Sequence, residues 1–500
     1  MNAGPLVIGI DGGTESLRVA LFDLSGRERA VASAPYPTHF PGPGQAEQQP
    51  QHWWAALAQA LPEALGKSGA QASDIRAIAL DTTCCTVCFL DKDGAPVRSA
   101  LLWMDVRASA EAAALLTTGD PALSINNGGK GPVSAEWMIP KASWVKTNEP
   151  HIYDRAVTIC EYQDYLNFRL TSNMVASTNN SGVRWHFRHG GAGAPNTLLA
   201  ALRMESLAEK WPKTMLAPGE VVGGLTPQAA AELGLRPDTP VVQGGADAFI
   251  AMAGMGVVRP GQLALVTGSS HLQLALTGQA VHGEGIWGSY ADVLRRGLSV
   301  VEGGQTSTGS VINWFRRQLA PSASYRELDS EAAAIAPGCE GLSAQDHFQG
   351  NRTPYTDARS RGAFIGLSLN HGRGHMFRAL LESVAYGTRL ILDTMRERQI
   401  AVDDIMLCGG VARSPLWAQI HADILDTPIR ISPAASAPAL GSAMFAAIGA
   451  AHFADLDEAA AAMVAPGRIV EPDRQAVAAY ADPFARYRAT YGALRPLTAA

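Results

Sequence analysis

Cysteine is scarce in this 500-residue sequence: the six present are Cys84, Cys85, Cys88, Cys160, Cys339 and Cys408, most of them inside apolar runs. That density argues against a disulfide scaffold, and cysteines so placed behave as small buried hydrophobes. A basic excess is also missing, since 40 Lys and Arg against 46 Asp and Glu leave a net charge of −6. No nucleic-acid partner is expected, and an anionic ligand would need a local basic pocket. No uninterrupted apolar run reaches membrane-spanning length, because Gly, Pro or charge breaks the alanine-rich stretches. No signal-peptide pattern precedes the first apolar run, so the expectation is a cytoplasmic protein with no membrane partner. The phosphate-loop spacing GxxxxGK followed by Ser or Thr does not occur. Gly128-Gly129-Lys130-Gly131 resembles it only faintly, which argues against a P-loop enzyme.

What is there begins at Leu6-Val7-Ile8-Gly9-Ile10, an apolar run too short for a helix that reads as a buried strand. It ends in Asp11-Gly12-Gly13-Thr14, and a second β-like run over residues 17–22 follows at once, so the pair reads as a hairpin. Paired glycines let backbone N–H groups approach phosphate oxygens closely. Asp11 can hold a hydrated magnesium ion, and Arg18 can add charge-assisted bonds to phosphate. An ordinary Asp-Gly hairpin turn with a solvated edge explains the same residues equally well. A weak echo shifts the balance: residues 262–267 form another apolar run, which enters Gly268-Ser269-Ser270 and returns through an alternating segment over 271–277. Two strand–turn–strand units half a chain apart suggest duplication, with two phosphate-binding hairpins facing one cleft.

Between them, residues 36–50 read as a Pro/Gly-rich surface loop, 53–65 as a helix and 75–80 as a strand. Cys85-Thr86-Val87-Cys88 imitates a redox pair. Positions three apart on an extended strand point to opposite faces, so a buried reading is preferred. Trp103-Met104-Asp105-Val106-Arg107 leads into a helix near Ala108; its Asp and Arg could bind a polyol, but taken alone a local surface ion pair is the preferred reading. Helices are expected over 136–146 and 160–170, and 177–185 reads as a polar stretch without an assigned element. Gln243-Gly244-Gly245-Ala246-Asp247 joins a strand to a small-residue helix, where Asp247 can serve as an N-cap or as a general base. Later, Gly409-Gly410 ends a strand over 405–408, and a helix with proline in its first turn follows from about Pro415.

Taken together these blocks resemble the FGGY carbohydrate kinases, over nearly the whole chain to about Gly449. Gly362-x-Phe364-x-Gly366-Leu367, followed by His375-Met376 and residues 379–382, is close to that family's C-terminal signature. Lys141 and Trp144 match a looser, earlier one. Asp81-Thr82-Thr83-Cys84, Ser134-Ala135-Glu136, Glu302-Gly303-Gly304-Gln305 and Gly350-Asn351-Arg352-Thr353-Pro354 look like the ribulokinase branch. The resemblance implies an α/β, two-domain, actin-like (ribonuclease H-like) ATPase fold with an interdomain cleft, split here as 1–245 and 246–500. It implies ATP and Mg2+ as cofactors, a small-molecule sugar substrate and a possible homodimer. Asp247 then matches the catalytic base, and Asp11, Gly12, Gly13, Thr14 and Arg18 the first phosphate motif, with Asp11 on the metal. Gly268 and Ser269 match the second phosphate motif, Gly309 and Asn313 the nucleotide cleft, and Gly410 and Ser414 the adenosine motif. Asp81, Asp105, Arg107, Glu136 and Lys141 fall on the sugar side, with Asp247. The implied reaction is phosphorylation of a primary hydroxyl of a ribulose-like ketopentose. The alternatives are a kinase of xylulose, erythritol or glycerol, or an actin-like ATPase without a sugar substrate.

Overall fold

The computed structural model describes residues 4–131 and 133–498. The chain opens with β1 (Leu6–Gly12), β2 (Ser16–Asp23) and β3 (Glu28–Pro35), an antiparallel meander in which every apolar side chain of β1 is buried. Helix α1 (Pro50–Ser68) follows, with proline in its first turn and a left-handed Gly69 closing it. Its Trp53, Leu57, Ala60, Leu61 and Ala64 recur at helical spacing and lie against β2 and β3. Next come β4 (Ile75–Thr82), the short helix α2 (Thr178–Arg184), β5 (Val221–Gly224) and β6 (Pro240–Val242). The sheet they complete has the order β5-β6-β4-β1-β2-β3, with β4 parallel to both β1 and β6.

The second half repeats the plan. After α3 (Asp247–Gly254) come β7 (Gly261–Thr267), β8 (His271–Thr277), β9 (Gly288–Ala291) and β10 (Ser299–Gln305). Helices α4 (Gly309–Leu319) and α5 (Arg373–Glu397) lead to β11 (Val402–Gly409), α6 (Pro415–Leu425), β12 (Ile429–Ile431), α7 (Ala437–Gly449) and β13 (Arg468–Val470). This sheet runs β9-β10-β8-β7-β11-β12-β13. Strand for strand, β10-β8-β7-β11-β12 reproduces β3-β2-β1-β4-β6, pairing directions included. The duplication suggested by the two hairpins is therefore real. Among the described residues no helix is long and apolar enough to cross a membrane.

The halves are interlocked. Helix α7 packs against β1 and β4 of the first sheet and against α3. The approach is so close that a Cβ on Gly9 would lie 1.9 Å from the Ala439 carbonyl oxygen, and one on Gly441 would lie 2.1 Å from that of Ile250. One apolar layer consequently contains Val7 and Ala79 from the first half with Leu274, Met406 and Ala443 from the second. Its partly exposed margin includes Cys84, Ala248, Val266, Cys408 and Ala434. The C-terminal ends of β4, β7 and β11 thus open onto a common cleft, the usual place for a ligand in such sheets.

One expected helix shifts and one unassigned stretch proves helical. The segment expected as helix over 160–170 splits, because Cys160 and Glu161 end a strand (Thr158–Glu161) paired to Val87–Leu90, and the helix is Tyr162–Thr171. Glu161 and Asp164 form a reciprocal capping box at that junction. The polar stretch 177–185 contains α2, capped by the Ser177 hydroxyl.

Candidate active site

The first hairpin places Asp11 opposite Arg18 on β2 and beside Asp81 on β4. Arg18 Nη1 lies 3.5 Å from Asp11 Oδ2, and the Ser436 hydroxyl donates to the same oxygen at 3.4 Å. Burial nevertheless raises the Asp11 carboxyl, with Arg18 offsetting only part of the effect. The turn itself is braced. Gly13 N–H donates to the Ser16 carbonyl, the Gly12 carbonyl accepts from Thr83 N–H, and the Tyr36 hydroxyl donates to the Gly13 carbonyl. Gln48 Nε2 donates to the Thr14 carbonyl at 2.7 Å, and the half-exposed Trp103 donates its indole N–H to Thr14 Oγ1 at 3.0 Å. Tyr36, Gln48 and Trp103 are site residues the sequence reading did not single out. Tyr36 and Trp103 come from loops and Gln48 from a two-residue strand, where no periodicity signals them.

Asp247 arrives from the neighbouring strand end. Thr82 forms a parallel bridge to Ala246, and Thr82 N–H donates to the Gly245 carbonyl at 3.2 Å. This places Asp247 in the first turn of α3 on the side of Asp11. One carboxylate oxygen accepts from Ala248 N–H at 2.6 Å. Burial, then the negative field of Asp11, lifts the carboxyl from 3.8 to about 7 despite that bond. A carboxyl near 7 at a cleft is matched to proton abstraction at neutral pH. Asp81 differs. It is fully buried, its Oδ2 accepts from Ser442 of α7 at 2.7 Å, and burial holds its carboxyl well above the ordinary range. It supports the floor beneath Asp11 and Asp247 and does not line the sugar side, as had been expected of it.

In the second half, Gly268 N–H closes the turn on the Ser270 carbonyl at 2.9 Å. The Ser269 carbonyl accepts from Thr308 and Ser310 N–H, and the Gly268 carbonyl from Gly309 N–H. A Cβ on Gly309 would sit 2.3 Å from that carbonyl oxygen, so only glycine admits the contact. Thr267 is the hub of the region: its carbonyl accepts from Gly410 N–H at 2.7 Å and its hydroxyl oxygen from Val411 N–H at 3.1 Å. Gly268, Ser269, Gly309 and Gly410 are thereby gathered at one edge. Asn313 is exposed one turn along α4, and its side-chain oxygen accepts from the Tyr325 hydroxyl at 3.3 Å. Ser414 caps α6 by accepting from Trp417 N–H at 3.1 Å and bonds the Asp329 carboxyl, so its hydroxyl is already engaged.

The expected sugar-side residues divide. Asp105 is fully buried, accepts from Ala46 N–H at 2.7 Å and pairs with Arg107, which also reaches Glu47 at 2.8 Å and lies over Trp144. This is the local ion-pair reading: the cluster pins the 36–50 loop beside Trp103. Lys141 is fully buried, with Nζ donating to the carbonyls of Cys85 and Leu102, and burial lowers its proton affinity. The three expectations for Asp105, Arg107 and Lys141 are corrected for one reason, since these charges are spent on protein partners. Glu136 is half-buried, and among the described residues its carboxylate has no hydrogen-bond partner, so it stays available to a ligand. Cys85 has a left-handed backbone and donates its N–H to the buried Glu161; all six cysteines are free. An unforeseen contact joins the halves nearby, a buried ion pair of Arg184 in α2 with Glu302 in β10 at 2.9 Å, to which the Tyr290 hydroxyl also donates. A cavity of about 600 Å³ lined by Trp54, Tyr165, Phe168 and Arg169 lies elsewhere, and none of the cleft residues lines it.

An oxygen-donor cation fits this arrangement. Asp11 and Asp247 add to the proton affinity of Asp81, Asp11 adds to that of Asp247, and Asp81 Oδ1 is buried without a partner. Among the described residues no three acidic, His or Cys side chains form a ready-made cage. A magnesium ion would therefore take few ligands from the protein and the rest from water and phosphate.

Residues 6–254 match the model of the N-terminal domain of FGGY carbohydrate kinases, and residues 263–450 that of the C-terminal domain. A ribulokinase of Geobacillus thermodenitrificans is 34% identical over 484 residues, covering 89% of this chain and 86% of the relative. A xylulose kinase of Bacillus subtilis is 29% identical, over 99% of this chain and 98% of the relative. The crystal structure of xylulose kinase from Rhodospirillum rubrum superposes with a TM-score of 0.89 at 29% identity, covering 99% of this chain and 100% of that one. The chain belongs to the FGGY family of carbohydrate kinases, and it is an ATP-dependent phosphotransferase acting on an alcohol group of a sugar.

Proposed function

We propose that the substrate is a ketopentose of the ribulose type, phosphorylated at its primary hydroxyl to the 5-phosphate. The observation that carries the chemistry is the Asp247 carboxyl, lifted to about 7 beside Asp11 at the end of β6. Support for ribulose comes from the ribulokinase relative and from Asp81-Thr82-Thr83-Cys84 and Gly350-Asn351-Arg352-Thr353-Pro354. In this reading Asp247 accepts the hydroxyl proton. Arg18 holds phosphate oxygens, the Gly12–Gly13 and Gly268–Ser269 turns, with no glycine side chain in the way, let the phosphates approach the backbone, and Gly410 borders the adenosine. Glu136 binds sugar hydroxyls. Asp11 would hold magnesium, which supplies charge neutralisation on the phosphates. Phosphoryl transfer asks a protein chiefly for such positioning and electrostatics. The boundary between the sugar and nucleotide halves falls at 245/246, immediately before the base.

A coupled ADP-release screen over pentuloses, hexuloses and polyols tests the substrate: ribulose should give the highest kcat/KM, and a clear preference for xylulose or a polyol would refute the assignment. Asp247→Asn should cut kcat by roughly two to four orders of magnitude. Full turnover by that variant would refute the base.

A further inference from the structure

We propose that Asn179 is a positioning residue that registers Asp247 against the edge of the second sheet. The inference rests on the reading of Asp247 as proton acceptor.

The turn that carries Asp247 hangs from α2. Asn179 Oδ1 accepts from Ala246 N–H at 3.0 Å, one residue before the base, and Ser177 Oγ donates to the Gly244 carbonyl at 2.8 Å. The fit leaves no slack: a Cβ on Gly245 would lie 2.7 Å from the Asn179 carboxamide carbon. The other end of the same carboxamide reaches the second half, Nδ2 donating to the Val293 carbonyl at 2.8 Å. Val293 follows β9, the edge strand hydrogen-bonded to β10, and its side chain closes over Gly182 of α2. Asn179 itself is fully buried.

A carboxamide is the one side chain of this size that offers an acceptor to an N–H and a donor to a C=O at once. Asn179 comes from the first half, and its two partners are the turn that carries the base and the edge of the second sheet, whose spacing decides whether the base and the phosphoryl donor meet. Arg184–Glu302, one helical turn further along α2, also joins the two halves but touches nothing of the Asp247 turn. Through this one side chain of Asn179 the backbone beside the base is hydrogen-bonded to the edge of the second sheet. A displacement of about 1 Å at a reacting group can cost about 100-fold in rate.

The test is a double-mutant cycle between Asn179→Ala and Asp247→Asn, with ADP affinity measured by calorimetry on the same proteins. The expected result is a 10- to 100-fold loss of kcat for Asn179→Ala, ADP affinity within about twofold of the parent, and less than about threefold further loss when the substitution is added to Asp247→Asn. The same fractional loss in both backgrounds, or ADP affinity falling in step with kcat, would overturn the proposal. If the alanine variant does not fold, Asn179→Asp is carried through the same cycle and judged by the same two results. It keeps the acceptor for Ala246 and places an oxygen against the Val293 carbonyl. Full turnover by Asp247→Asn alone is a separate failure, of the base assignment, and it would be seen before Asn179 is changed.

Discussion

The raised Asp247 carboxyl has a thermodynamic consequence that can be measured without substrate. Its folded-state pKa of about 7 exceeds the ordinary 3.8, so the folded chain holds this proton more tightly than the unfolded chain does. Stability must therefore fall as pH rises from about 4 through about 7, and level off above. At pH 8 the ionised carboxylate costs up to about 4 kcal/mol, which its partial solvent contact reduces to roughly 2–4 kcal/mol. Asp247→Asn keeps the shape and removes the charge, so it should recover that energy at pH 8 and almost none of it at pH 4. For a chain of this length about 1 kcal/mol corresponds to about 1 °C, giving a calorimetric Tm roughly 2–4 °C higher than the parent at pH 8. Scans of both proteins at pH 4, 6 and 8, without nucleotide, would show the difference opening with pH. A Tm gap that does not change with pH, or a less stable Asn variant at pH 8, would refute the idea that burial and Asp11 charge this site with strain.

Three further outcomes follow from the contacts above. Lys141→Met should lower stability by about 3 kcal/mol, read from denaturant midpoints, because the Cys85 and Leu102 carbonyls lose a charged donor; the KM for sugar should barely move in protein that folds. Arg184→Leu should cost about 3 kcal/mol by leaving the buried Glu302 with only the Tyr290 hydroxyl and Arg352 at 3.9 Å, and Arg184→Leu with Glu302→Leu should recover most of it. Gly441→Ala should destabilise by about 1–3 kcal/mol in urea titration, since its methyl meets the Ile250 carbonyl oxygen of α3.

Much of this was legible in the chain. The two hairpins announce themselves because strand periodicity and small-residue turns are local signals, and Asp11, Gly268 and Asp247 stand where those signals end. Asp105, Arg107 and Lys141 were misjudged because a charged side chain looks the same in sequence whether it meets a ligand or a carbonyl from another segment. Lys141 is answered by residues 85 and 102, a long-range fact. The helix expected over 160–170 was misplaced for a similar reason: Cys160 joins a strand only because Cys88 lies opposite it. Asn179 and the Arg184–Glu302 pair sat unnoticed in a polar stretch, since seven residues give too little periodicity to mark a helix.

The embrace of β1 by α7 sets a timetable for synthesis. Gly9 meets Ala439, so the inner face of the first sheet stays uncovered until nearly all of the polypeptide has left the ribosome. At roughly 5–20 residues per second, a bare apolar face persists for tens of seconds. A nascent chain in that condition is a natural client for holding chaperones, and a gene cut after Gly245 would yield a fragment that never finds its missing cover.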